Sequence, residues 1–90
     1  MNIFALRFLV REGCHLCDVS RPIVTSETRK LGVSLTEVNV DDDEHLLAEY
    51  GVRIPVLLGP GDRVIAEGAI EDRRALRRAL RRALRARFRE

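Results

Sequence analysis

The chain has 90 residues, of which 46% are hydrophobic and 33% charged, and its formal net charge is +2. This balance fits one domain with a single modest core, and excludes both a disordered polar chain and a two-domain protein. No apolar run reaches the roughly 18–20 residues of a membrane span, and Met1-Asn2-Ile3 shows neither the basic start nor the cleavage site of a secretory signal, so a cytoplasmic protein with no membrane partner is expected.

Residues 3–10 are nearly all apolar, with Phe, Ile and Val prominent, as in a strand buried on both faces. Gly13 marks a turn, after which Leu16, Val19, Ile23, Val24 and Leu31 recur at near-helical spacing. Pro22 is expected to bend that helix and Gly32 to end it. Residues 33–40 alternate and predict a second strand, and the acidic residues 41–44 open a short helix that runs through Leu46, Leu47 and Tyr50 to Gly51. Residues 52–58, interrupted by Pro55, predict a third strand. The Gly59-Pro60-Gly61-Asp62 turn leads into a fourth over 63–66, completing a hairpin. Glu71 and Asp72 then open a last helix reaching about Phe88. The order is β-α-β-α-β-β-α, an α/β domain over 1–90 with a four-stranded mixed sheet flanked by helices, whose β-α-β start implies a parallel pair.

The two cysteines stand in Cys14-His15-Leu16-Cys17, where the first strand gives way to the first helix. In a reducing compartment such a pair is catalytic or metal-binding more often than structural. A structural zinc site needs four ligands, and His45, some thirty residues on, fits no finger spacing, so no metal is expected.

Taken with Pro22, five residues beyond Cys17, and Ile54-Pro55 at the third strand, the dithiol resembles the glutaredoxin branch of the thioredoxin-fold family over essentially the whole chain. The resemblance implies a thiol–disulfide oxidoreductase in which Pro55 is cis and faces the dithiol. A helix N-terminus favours a thiolate, so Cys14 at its mouth is the expected nucleophile and Cys17, one turn in, the resolving thiol. His15 either tunes Cys14 when protonated or is a solvent-facing residue of the first turn.

The same resemblance implies a disulfide-containing protein or a small thiol as substrate, glutathione as a candidate co-substrate, and no tightly bound cofactor. An iron–sulfur cluster bridging two subunits, as in some glutaredoxins, would use Cys14 with external thiols. The substrate-binding positions would be Arg11, the Arg53-Ile54-Pro55 segment, and Gly68. Arg11 reads equally well as a solvated surface residue. The chain departs from the usual Cys-Pro-Tyr-Cys and keeps one glycine of the Gly-Gly-x-x-Asp stretch, so its glutathione site is only partly represented.

Charge is unevenly distributed: residues 1–72 sum to −6 and residues 73–90, with nine arginines, to +8. Leu76, Leu80, Leu84 and Phe88 recur every four residues, with Ala75, Ala79 and Ala83 beside them, which gives an apolar stripe and an arginine face. The plain reading is a solvated outer face. A competing one is a binding or redox-sensing module whose arginine helix docks an acidic partner or nucleic acid. With no aromatic residues interleaved to stack bases, single-stranded binding has little support; on the plain reading nucleic acid is not the expected partner, and the chain is expected to be a monomer.

Overall fold

The computed structural model describes residues 4–88, with side chains described up to Ala86. The elements are β1 (Ala5–Val10), α1 (His15–Leu31), β2 (Ser34–Asn39), a 3-10 turn (Val40–Asp42), α2 (Glu44–Tyr50), β3 (Val56–Leu58), a second 3-10 turn (Pro60–Asp62), β4 (Val64–Glu67) and α3 (Arg73–Phe88). The expected mixed sheet is present, ordered β2-β1-β3-β4. β2 runs parallel to β1, while β3 is antiparallel to both β1 and β4. Ile3, placed by its apolar character in the first strand, lies outside the described residues.

Side chains alternate across a strand, so β1 feeds two cores. Leu6, Phe8 and Val10 join Cys17 and Val24 of α1 and Leu76, Leu80 and Ala83 of α3. Leu9 points the other way, with Val40, Val56 and Leu58, and is covered by Leu46 and Tyr50 of α2. The alternation in β2 serves both cores through a change of parity. Val33 and Leu35 pack against the first cluster, whereas Val38 and Val40 belong to the second.

The helix ends follow from local chemistry. α1 stops at Gly32, which takes a left-handed φ of 68° that a side chain would resist, and its N–H bonds back to Arg29 and Thr28 carbonyls. The acidic run is divided: Asp43 caps α2, its carboxylate accepting the N–H groups of His45 and Leu46, and the residues before it form the 3-10 turn.

β3 is shorter than its sequence pattern, beginning at Val56 and not at residue 52. The Arg53 and Ile54 N–H groups both return to the Tyr50 carbonyl, at 2.8 and 3.1 Å, so this segment extends the end of α2, and Val52 is fully exposed.

α1 and α3 are joined by a buried charge. Glu27, 1% exposed, accepts hydrogen bonds from Arg77 Nε at 2.9 Å and Lys30 Nζ at 3.3 Å, with Arg73 at 3.5 Å. The Arg77 hydrogen bonds, and after them those of Lys30, outweigh desolvation and hold the Glu27 carboxyl down to about 2. Two residues of the arginine face thus serve the interior. Leu76 and Leu80 form the expected buried stripe and Leu84 is half-buried, while the Phe88 side chain lies outside the described ones.

Candidate active site

The dithiol is set by the first turn of α1. Gly13 has a φ of 80°, and Cys14, in extended conformation, is the N-cap residue of the helix. Its Sγ accepts the Cys17 N–H at 3.1 Å, and its carbonyl accepts the Asp18 N–H at 3.1 Å. The sulfur therefore takes the place that a serine or aspartate oxygen usually fills at a helix start, facing backbone donors that would otherwise be unpaired.

Cys14 and Cys17 are joined as a disulfide, their Cα atoms 5.2 Å apart. The pair is asymmetric, with Cys17 0% exposed in the core and Cys14 only partly covered. His15 and Leu16 between them are exposed, and His15 makes no ion pair or side-chain hydrogen bond among the described residues.

Two further segments converge on this end of the sheet. The register pairs Leu9 with Val56, which sets Pro55 beside the end of β1, where the chain leaves for Cys14. The Ile54–Pro55 peptide bond is cis, as the resemblance implied. Gly68, at a φ of 75° that favours glycine, donates its N–H to the Pro55 carbonyl at 2.8 Å. Two residues on, the Ile70 N–H donates to the Ser20 hydroxyl at 3.1 Å inside the core.

Ser20 is one turn beyond Cys17 and 0% exposed. Helix α1, Pro55 and the Gly68 loop are thereby tied together. Ser20 was not among the sequence candidates. Its signal was a hydroxyl on the stripe Cys17, Ser20, Val24, where an apolar residue was due.

The candidate cations stand beside the site and are already paired. Arg11 Nε meets Asp41 Oδ2 at 3.0 Å. Arg53 grips Glu67 with Nε and a terminal nitrogen, both at 3.1 Å, reaches Glu49 at 3.1 Å, and lies over the Tyr50 ring at 4.9 Å. The hydrogen bonds between Arg53 and Glu67 raise the guanidinium pKa and lower the carboxyl pKa. Asp72 occupies the start of α3, its side chain accepting the Ala75 N–H at 3.0 Å. Among the described residues, no group of three or more His, Cys, Asp or Glu side chains gathers as a metal site. No described helix is long and apolar enough to cross a membrane.

A four-stranded mixed sheet with a Cys-x-x-Cys at the mouth of its first helix and a cis-proline before its third strand is a thioredoxin fold. Thioredoxin 1 from Thermosipho africanus matches it with a TM-score of 0.67 over 93% of this chain and 98% of that one, at 13% identity, a likeness of fold alone. The model of the glutaredoxin-like domain (DUF836) matches residues 5–84, and the chain belongs to that family. Among solved structures, the structural-genomics target XcR50 from X. campestris is 32% identical, with a TM-score of 0.71 over 86% of this chain and 96% of that one. Protein Ne2328 from Nitrosomonas europaea is 31% identical, with a TM-score of 0.63 over 74% and 80%. None of the curated proteins matches the chain.

Proposed function

We propose that this protein is a small thiol–disulfide oxidoreductase working by dithiol exchange in the reducing cytosol. The observation that carries this reading is the asymmetry of the pair. Cys14 is partly accessible with its Sγ on the Cys17 N–H at the mouth of α1, while Cys17 is sealed beneath it. A thiolate at Cys14 is favoured by the helix N-terminus, which sets its pKa below the ~8.5 of a free cysteine.

In the reductive direction the Cys14 thiolate attacks one sulfur of a substrate disulfide. The substrate S–S bond breaks, a mixed disulfide forms, and the departing sulfur leaves as a thiolate that takes a proton from solvent. Cys17 then loses its proton and attacks Cys14 Sγ, releasing the second substrate sulfur as thiolate. The substrate gains two electrons, and the Cys14–Cys17 bond holds the oxidising equivalent. Ile54 and Pro55, just before the strand that begins beside the dithiol, would meet an extended substrate segment, the Ile54 carbonyl accepting from its backbone, and His15, when protonated, would add positive charge next to Cys14.

Glutathione enters as a candidate co-substrate, with Arg11 and Arg53 as the cations for its carboxylates. Each would exchange an intramolecular partner for the ligand, Asp41 for Arg11 and Glu67 or Glu49 for Arg53. Exposed pairs of this kind are weak enough to be exchanged.

The test is a redox titration of the pair in graded glutathione buffers, with thiolate absorbance followed across pH. A reversible two-electron disulfide and a depressed Cys14 pKa are expected. Cys14→Ser should abolish exchange, and Cys17→Ser should still reduce glutathione mixed disulfides. No reversible disulfide, or activity that survives Cys14→Ser, would overturn the reading.

A further inference from the structure

The dithiol chemistry leaves one large feature of the molecule unused. On α3, Arg73 and Arg77 are engaged with Glu27. Arg74, Arg78, Arg81, Arg82 and Arg85 are exposed, and among the described residues none of the five forms an ion pair. At 3.6 residues per turn these five project within about 100° of one another, along roughly 16 Å of helix. Like charges three and four residues apart work against the helix, so a packing helix with no further role would gain from mixed charges here. Among the described residues, no acidic group of the body forms an ion pair with them, and several are held elsewhere. Asp41 is held by Arg11, Asp18 and Glu37 by Arg21, Glu49 and Glu67 by Arg53, and Asp62 by Arg7.

We propose that this face of α3 binds the phosphate backbone of double-stranded DNA without regard to sequence. The chemistry and placement of the face select that occupant. Among the described side chains the exposed face carries no large apolar or aromatic anchor, because Leu76 and Leu80 are buried and Leu84 half-buried, so it lacks the dehydrated centre of a protein interface. For the same reason the described side chains offer no apolar face free to enter a lipid surface.

The residues are all arginine, whose planar fork suits phosphate oxygens, and α3 contains no Asn or Gln to read adenine edges. The groove of B-form DNA admits an α-helix, whereas the deep, narrow major groove of A-form RNA does not. The acidic residues of the 3-10 turn and α2 lie with the second core, across the sheet from this face, so they do not oppose the approach. The missing aromatic residues speak only against single strands, and a duplex bound through its phosphates has no use for stacking.

The experiment is fluorescence anisotropy of a labelled mixed-sequence DNA duplex against the full chain in 50 to 200 mM salt. Five phosphate contacts give a slope of log affinity on log salt of about −4 to −5, a loss of several hundredfold across that range, and two unrelated sequences should bind alike. Arg78→Gln/Arg82→Gln/Arg85→Gln should bring the slope to about −2, while leaving the fold and disulfide exchange intact, since none of the three contacts Glu27 or the dithiol. Were that variant poorly folded, Arg74→Gln/Arg81→Gln serves in its place and should lower the slope by about two. No binding at 50 mM salt, an unchanged slope in the folded variant, or equal affinity for duplex RNA or polyglutamate would overturn the proposal. Because the exchange assay is read separately, a failure here is distinct from a failure of the oxidoreductase reading.

Discussion

The two faces of the sheet are built to different standards. The face that carries Cys17 is covered by two long helices and includes Phe8, Leu6, Leu57 and Leu80, each 0–1% exposed, with Glu27 and Ser20 bonded across elements. The opposite face is covered by a seven-residue helix whose contributions, Leu46 and Tyr50, are 9% and 8% exposed. The Cys17 sulfur is thus fixed by the thicker core, while the segment leading to Pro55 hangs from the end of the thinner one. The proposed exchange would need one sulfur held still and a neighbouring segment that accommodates a substrate, and the difference in packing would supply both.

The largest effect that would sharpen this comparison is Leu80→Ala, expected to cost about 2–5 kcal/mol in denaturant unfolding because it empties a fully enclosed site. Leu46→Ala should cost distinctly less, and equal losses would break the comparison. Ser20→Ala leaves the Ile70 N–H without its partner inside the core and should cost about 1–3 kcal/mol.

Glu27→Gln is read best as a pH profile. A carboxyl held at about 2 in the folded protein, against an ordinary 4.5, stabilises in full above pH 4.5, and that contribution is lost as pH falls through about 2. Thermal melts of the variant should lose that acid limb and start from a lower melting temperature at neutral pH, whereas an unchanged limb would assign it to other carboxylates. Smallest is Arg53→Ala, whose partners are exposed. Its melting temperature should barely move, and a large drop would mean that the Pro55 segment is as firmly built as the dithiol face.

Much of this was legible in the sequence, because periodicity and turn chemistry are local. β1, α1 and α3 follow from apolar spacing, and the dithiol and Pro55 from their order along the chain. What escaped depended on partners far away. Glu27 looks like one more surface glutamate, although it falls between Val24 and Leu31 on the buried stripe of α1. Its role requires Arg77, fifty residues on. The start of β3 was misplaced because Val52 and Arg53 are as apolar or as neutral to strand formation as the residues after them. The deciding interaction is the Tyr50 carbonyl recruiting the Arg53 and Ile54 N–H groups. The division of the arginines with described side chains into two interior ties and five cations without an ion pair is invisible until α1 and α3 are placed side by side.

The burial of Cys17 bears on wear as well as turnover. Peroxides oxidise thiolates that they can reach, carrying them through sulfenic to sulfinic and sulfonic acids, from which recovery is restricted or impossible. With Cys17 at 0% exposure, that ladder is open to Cys14 alone. On the proposed chemistry a sulfenic acid formed there would have the Cys17 thiol one helical turn away and would condense with it to the disulfide, losing water. The enclosed sulfur that would complete each exchange would also protect the exposed one from permanent loss.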